Sequence, residues 1–310
     1  MKGFPAGHRL RLAAALACLL PSFGCAGAQP KTAEAAASAT ARGHLLIVGG
    51  GPIPDSLLER FVALSGGAGR ARIVIFPMAS EDADAGIELS EDFQRLGASA
   101  ERVVLTHEQA DTAEAARRMD GVTGIWFGGG DQSRLTAALL HTPVEAAILA
   151  RYREGAAVGG TSAGAAVMST PMLTGDERRP GGDRPPRKDS SDAYMTIARE
   201  NVVTVEGFGL LPGAIVDQHF VRRRRNNRLL SLVLEHPNLV GVGIDESTAL
   251  EVGPEGPWRV LGDSVAVIYD ARRARVRPPT VSPLGATGVR LHILPAGSTF
   301  DLPTGQATLP

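Results

Sequence analysis

Cysteine is nearly absent from this chain. Its 310 residues include two, Cys18 and Cys25, both close to the start. Everything downstream therefore lacks a disulfide, a thiol nucleophile and a cysteine ligand for a metal. An excess of one charge is also missing: 32 Lys and Arg against 33 Asp and Glu leave a formal net charge of −1. No global field draws in nucleic acid or an anionic membrane, and neither is expected as a partner. The histidines His44, His107, His141, His219, His236 and His292 make no H-E-x-x-H or other tight ligand spacing. No metal and no other cofactor is expected. A repeat at solenoid spacing is missing too.

What is present begins with a leader. Lys2, Arg9 and Arg11 precede the apolar residues 12–20 and then a run of small residues, the layout of a secretory signal and too short to span a bilayer permanently. Two processing points compete. Ala26-Gly27-Ala28 fits the small-x-small rule, whereas Gly24-Cys25 is a lipoprotein junction that would acylate Cys25, weakened by Ser22 where leucine is usual. The expectation is an exported protein, periplasmic or extracellular, that meets a membrane only through lipidation of Cys25. Residues 1–28 read as signal, 29–42 as a flexible tether rich in Ala, Ser and Thr, and 43–310 as one folded domain.

From His44 onward, short apolar runs alternate with amphipathic ones. HLLIVGGG precedes a helix expected over 55–64, RIVIFPMAS one over 88–96, RVVLTH one over 112–119, and GIWFGGGDQ a single helix over 133–153. A further short strand, 156–158, leads into GGTSAGAAVM. Such alternation predicts an α/β fold with a mostly parallel central sheet covered by helices. The stretch 175–192 is too rich in Pro, Gly and charge to pack and reads as an exposed loop. Beyond it come IVDQHF, a basic helix expected over 221–235, the apolar LVGVGIDESTALEV and short strands that complete the same domain.

Gly160-Thr161-Ser162-Ala163-Gly164 fits G-x-S-x-G between a short strand and a small-residue helix start. That context is what a nucleophile elbow requires, and it favours chemistry over a serine that merely caps a helix. The amide of Ala163 would then point toward a developing oxyanion. WFGGGDQ is a second glycine cluster at a strand end, and parallel sheets gather such loops at one edge. It brings the N–H of Gly129 or Gly130 opposite the serine turn. VGGGP at 48–52 reads as turn geometry.

His219 stands apart from the other histidines in the polar cluster Val216-Asp217-Gln218-His219-Phe220, directly after an apolar run. The apolar strand LVGVGI ends in Asp245 and Glu246, where an orienting carboxylate for His219 would be found. Composition alone does not choose between these two acids. Arg222, Arg223, Arg224, Arg225 and Arg228 follow His219; Arg225 and Arg228 share a helix face that could reach a carboxylate near the serine.

Taken in order, GGGDQ, GTSAGAAVMS, DQHF followed by VRRRRNNRLL, GVGIDESTAL and the closing VRLHILPAGSTFDL resemble the cyanophycinases. These are serine peptidases related to the aspartyl dipeptidase called peptidase E. The resemblance implies a three-layer α/β/α sandwich like the class I glutamine amidotransferase domain, with serine in place of the cysteine nucleophile. It also implies a triad of Ser162, His219 and Glu246, an order that differs from the serine, acid, histidine order of α/β-hydrolases.

Family enzymes cut cyanophycin, a polyaspartate whose side chains carry arginine, into β-aspartyl-arginine dipeptides. By position Gln132, Asp217, Gln218, Arg225 and Arg228 match the family's substrate pocket, the arginines suited to carboxylates and Asp217 to a guanidinium. The resemblance thus implies an acyl-enzyme on Ser162, with amides of Ala163 and Gly129 or Gly130 holding the oxyanion. Two other readings compete: an aspartyl or isoaspartyl dipeptidase of the peptidase E type, and an exported protein that binds peptides without cutting them. Oligomeric state is left open; a homodimer is compatible with the sequence.

Overall fold

Runs such as LLIV at 45–48 and GIWF at 124–127 are apolar at every position, and each of their residues is buried. Strands of this kind need cover on both faces, which parallel sheets obtain from their crossover helices. The computed structural model describes residues 43–178, 196–278, 280, 281 and 283–310. The expected signal and tether lie outside the described residues, as does the predicted loop beyond 178.

In chain order the described elements are β1 (Leu45–Val48), α1 (Asp55–Leu64), β2 (Arg72–Phe76), α2 (Ile87–Arg95), β3 (Ser99–Arg102), α3 (His107–Ala110), α4 (Ala113–Arg117), β4 (Gly124–Phe127) and α5 (Gln132–Leu139). Next come α6 (Pro143–Arg153), β5 (Ala157–Thr161), α7 (Ala163–Ala166), β6 (Met172–Glu177), β7 (Val202–Val205), β8 (Ala214–Asp217), α8 (Asn226–Glu235) and β9 (Val240–Ile244). The last are β10 (Thr248–Val252), β11 (Trp258–Gly262), β12 (Val265–Asp270), β13 (Arg275–Val276), β14 (Ala286–Thr287), β15 (Arg290–Pro295), β16 (Thr299–Asp301) and β17 (Gln306–Thr308).

A nine-stranded sheet runs β17-β16-β11-β10-β1-β5-β4-β2-β3. Its part from β1 to β3 is parallel throughout. The strands β10, β11, β16 and β17 extend it antiparallel. Alternate side chains of β1 go to opposite faces: Leu46 and Val48 pack with Leu57, Phe61 and Phe93 of α1 and α2, while Leu45 and Ile47 pack with Leu135, Leu139 and Ile148 of α5 and α6. This is the three-layer arrangement that the sequence predicts. Phe61, fully buried, meets Trp126 edge-on with ring centroids 4.8 Å apart, a burial that stabilises by about 2–3 kcal/mol.

A second sheet, β15-β12-β9-β8, has β8 parallel to β9. Val216, Val242, Ile244 and Ile268 of this sheet share one apolar layer with α5, α6 and α7. Helix α8 covers its opposite face through Leu229, Leu232 and Val233. Strands β5, β8 and β9 thereby deliver the segments carrying Ser162, His219 and Glu246 to one place.

Four expected elements differ. The single helix over 133–153 is two, because His141 has φ 62° and Thr142 caps α6, its side chain accepting the Glu145 N–H at 3.2 Å with Pro143 in the first turn. Thr-Pro-x-Glu is a helix start in its own right. The strand expected at RVVLTH lies earlier, as β3; beyond Val103, whose N–H still bonds the Ile75 carbonyl, Val104 is 53% exposed at the sheet edge. The helix expected over 221–235 begins only at Asn226, after a turn in which Arg224 has φ 54°. Residues 175–177, read as loop, belong to β6, where Glu177 pairs with Val202 of β7 after a bulge, so the backbone ladder outweighs their polar composition.

Candidate active site

Strand β5 runs straight into Ser162, which has φ 54° and ψ −108°. This conformation is costly for a residue with a side chain, and its surroundings must impose it. The Ser162 N–H donates to the Val48 carbonyl at 3.1 Å, and its own carbonyl accepts the N–H groups of Ala165 and Ala166. A Cβ on Gly160 would lie 2.5 Å from the Gly164 carbonyl oxygen, and one on Gly164 would lie 2.1 Å from that of Phe127. Both glycines of the G-x-S-x-G spacing are therefore required by the closeness of the turn.

His219 follows β8, also at positive φ, 47°. Its N–H donates to the Gly49 carbonyl at 2.6 Å, which ties the second sheet to the end of β1. Its ring Nε2 is 2.8 Å from Ser162 Oγ, and its Nδ1 is 2.7 Å from Glu246 Oε1. With Nδ1 protonated and donating to the carboxylate, Nε2 is left as the acceptor for the serine hydroxyl. Burial, joined by the nearby charges of Arg223 and Arg225, lowers the His219 pKa below the ordinary 6.5 despite the hydrogen bond to Glu246. A neutral imidazole of this kind can take a proton.

The other acid at the end of β9 faces elsewhere. Asp245 Oδ1 accepts the N–H groups of Val221 and Arg222 at 3.1 and 2.9 Å, and its Oδ2 accepts the Ser264 hydroxyl at 2.9 Å. It holds the turn after His219, while Glu246 holds the ring.

The loop after β4 faces the elbow. A Cβ on Gly129 would stand 3.5 Å from Ser162 Cβ. Its neighbours are anchored, Gly128 N–H to the Phe76 carbonyl and Asp131 N–H to that of Ala79, whereas the N–H groups of Gly129 and Gly130 have no backbone acceptor among the described residues. Amides without a backbone acceptor, in a loop that comes close to Ser162, suit a developing oxyanion.

A model of peptidase family S51 matches residues 45–256. The chain belongs to peptidase family S51. It is 34% identical over 285 residues to a cyanophycinase of Trichormus variabilis, covering 88% of this chain and 90% of that protein. A cyanophycinase of Synechococcus elongatus is 35% identical over 258 residues, 81% of this chain and 75% of the relative. Among solved structures, a peptidase from an acI-B1 Actinobacterium shares the fold with TM-score 0.59 and 24% identity, over 84% of this chain and 98% of that one. The protein is thus a serine-type peptidase.

In this S51 peptidase the residues matched to a substrate pocket are largely engaged with one another. Asp217, 1% exposed, is clasped by Arg228: Nε donates to Oδ2 at 2.7 Å and NH2 to Oδ1. The carboxylate expected to meet a substrate guanidinium meets an internal one instead. Asp217 Oδ1 also accepts the Gln218 N–H at 2.7 Å, and Arg225 donates to both the carbonyl and the side-chain oxygen of Gln218. The result is a braced segment immediately before His219. Gln132 is buried, its amide donating to the Leu173 carbonyl at 2.6 Å. Arg225 does not share a helix face with Arg228, because it precedes α8 as its N-cap.

The sequence missed one part of the site. VGGGP, read as a plain turn, is the floor under the His219–Glu246 pair. A Cβ on Gly50 would fall 2.4 Å from both Cε1 and Nε2 of His219, and one on Gly51 would fall 2.8 Å from Glu246 Cβ. The Gly50 carbonyl accepts the Ser247 N–H at 2.9 Å. The signal was visible as a third glycine cluster at the end of a strand, like the two already assigned to the site.

Proposed function

We propose that the protein is an exported cyanophycinase that hydrolyses cyanophycin to β-aspartyl-arginine dipeptides through an acyl-enzyme. The observation that carries the chemistry is the unbroken relay from Ser162 Oγ to His219 Nε2 at 2.8 Å and from His219 Nδ1 to Glu246 Oε1 at 2.7 Å. The names of the relatives from Trichormus variabilis and Synechococcus elongatus support the substrate. Export rests on the leader pattern of residues 1–28.

His219 takes the proton from Ser162 as Oγ attacks the substrate carbonyl carbon. The oxyanion that forms is held by the N–H groups of Ala163 and of Gly129 or Gly130. The C–N bond breaks as His219 returns the proton to the departing amine. Water, deprotonated by the same imidazole, then frees the acid and restores Ser162. Glu246 holds the ring in the productive tautomer and offsets the positive charge it carries between these transfers. In this reading Asp217, Gln218, Arg225 and Arg228 position the segment that bears His219, and Gln132 fixes the wall toward β6.

The test is incubation of the purified protein with insoluble cyanophycin, with products followed by mass spectrometry and Ser162→Ala run in parallel. The proposal expects β-aspartyl-arginine from the wild type and none from the variant. Cleavage of small aspartyl peptides with no attack on the polymer would favour the peptidase E type, and no hydrolysis of either would overturn the reading.

A further inference from the structure

With Asp217 committed to Arg228, a substrate guanidinium needs another partner. A cavity of about 500 Å³ reaches the elbow, lined by Thr161 and Gly129 and by Glu88 and Asp92 of α2. Its remaining walls are mostly apolar, Ile53, Leu58, Ile75 and Leu89 among them, and among the described residues no Lys or Arg lines it. A volume of this size holds a small ligand. Apolar walls together with carboxylates suit a side chain that has a methylene stem and a cationic tip.

The two acids are not equivalent. Asp92 pairs with Arg95 at 3.0 Å. Glu88, exposed in the first turn of α2, has no hydrogen-bond or ion-pair partner among the described residues. A second cavity of about 520 Å³ offers no such arrangement: it is lined by Arg102 and Arg134, it does not reach the serine turn, and its Glu81 is bridged to Arg134 at 2.9 Å.

We infer that this cavity is the subsite for a cationic side chain of the substrate and that Glu88 is the carboxylate that receives the guanidinium, with Asp92 as an auxiliary charge. The inference rests on the hydrolase reading above and adds a specificity residue to it. A planar guanidinium can donate two parallel hydrogen bonds to one carboxylate.

The experiment compares two synthetic β-aspartyl oligomers, one bearing arginine and the other citrulline, its uncharged isostere. The wild type is expected to favour the arginyl oligomer in kcat/KM. Glu88→Gln should erode that preference about five- to tenfold, chiefly through KM. Glu88→Asp should keep part of it, and Glu88→Gln with Asp92→Asn should bring the ratio near one. Thermal unfolding of each variant separates lost recognition from lost folding.

An arginine preference undiminished in the double variant, or no preference in the wild type, would overturn the subsite while leaving the hydrolase reading intact. A wild type that cleaves neither oligomer would overturn both.

Discussion

The two sheets contribute to the site in opposite ways. On the proposed reading the nine-stranded sheet supplies the nucleophile from within a strand-to-helix turn, where Ser162 at φ 54° is held by backbone hydrogen bonds and close glycine contacts. On the same reading the four-stranded sheet supplies base and acid from the ends of β8 and β9, and buried carboxylates clamp the segment that bears the base: Asp217 with Arg228 before His219, and Asp245 through the N–H groups of Val221 and Arg222 after it. One side is held by steric exclusion, which glycine permits. The other is held by polar satisfaction, which burial makes strong. The reactive distances exist only because the Gly49–Gly51 loop spans both sheets, bonding His219 and Ser247 and leaving room for the imidazole.

Substitutions can break either half separately. Ser162→Gly should abolish turnover, by about four orders of magnitude or more, yet raise stability by about 1 kcal/mol, because glycine accepts positive φ without strain. Single-turnover kinetics and thermal unfolding of the same variant check both halves of that expectation. Glu246→Gln should lower kcat by about a hundredfold to ten-thousandfold, with stability nearly unchanged since this side chain is partly exposed. Gly50→Ala strikes the join between the sheets: its Cβ would collide with the His219 ring at 2.4 Å. A displacement of the base by an ångström costs about a hundredfold in kcat, and a crystal structure of the variant should show the ring moved away from Ser162.

The pH dependence sharpens the comparison further. Burial first, then the Arg223 and Arg225 charges, keeps the His219 pKa below 6.5 in the folded protein. In the proposed mechanism neutral imidazole is the active form, so the acid limb of kcat/KM should fall below pH 6.5, and Arg223→Gln should move it upward. The unfolded state takes up a proton more readily at this residue, so its contribution to stability is present above 6.5 and is lost as pH falls from there through the lower folded-state value.

The smallest effect on activity is expected at Asp270, on β12 and away from the cleft. Burial would raise this carboxyl, but hydrogen bonds and charge from Arg272, together with Arg290, outweigh it and hold the pKa at about 2. The stability this supplies is present above the ordinary value of 3.8 and is lost as pH falls toward about 2. Asp270→Asn should destabilise by about 3 kcal/mol at neutral pH, measured by denaturant unfolding, with kcat unchanged.

These contrasts also explain which parts were readable from the residues. The elbow was legible because its G-x-S-x-G spacing is local, although Gly164 packs against Phe127 of β4 and the Ser162 N–H bonds Val48 of β1. His219 was legible as a polar residue at the end of an apolar strand. Whether Asp245 or Glu246 faces it was not legible from composition, since both follow β9 and only their tertiary partners differ; the family resemblance alone pointed to Glu246. Asp217 lies two residues before His219, but its engagement with Arg228 depends on where α8 begins, and the arginine run obscured that start. The Gly49–Gly51 loop was unreadable in function because the residues it accommodates lie far along the chain.

The most direct test of this account is labelling with a fluorophosphonate, which bonds phosphorus to an activated serine oxygen and expels fluoride. Peptide mapping by mass spectrometry should find the adduct on Ser162 alone, with a rate lowered at least about a hundredfold in His219→Gln. Labelling at another serine, or at an undiminished rate without His219, would contradict the claim that the two sheets meet to make one nucleophile.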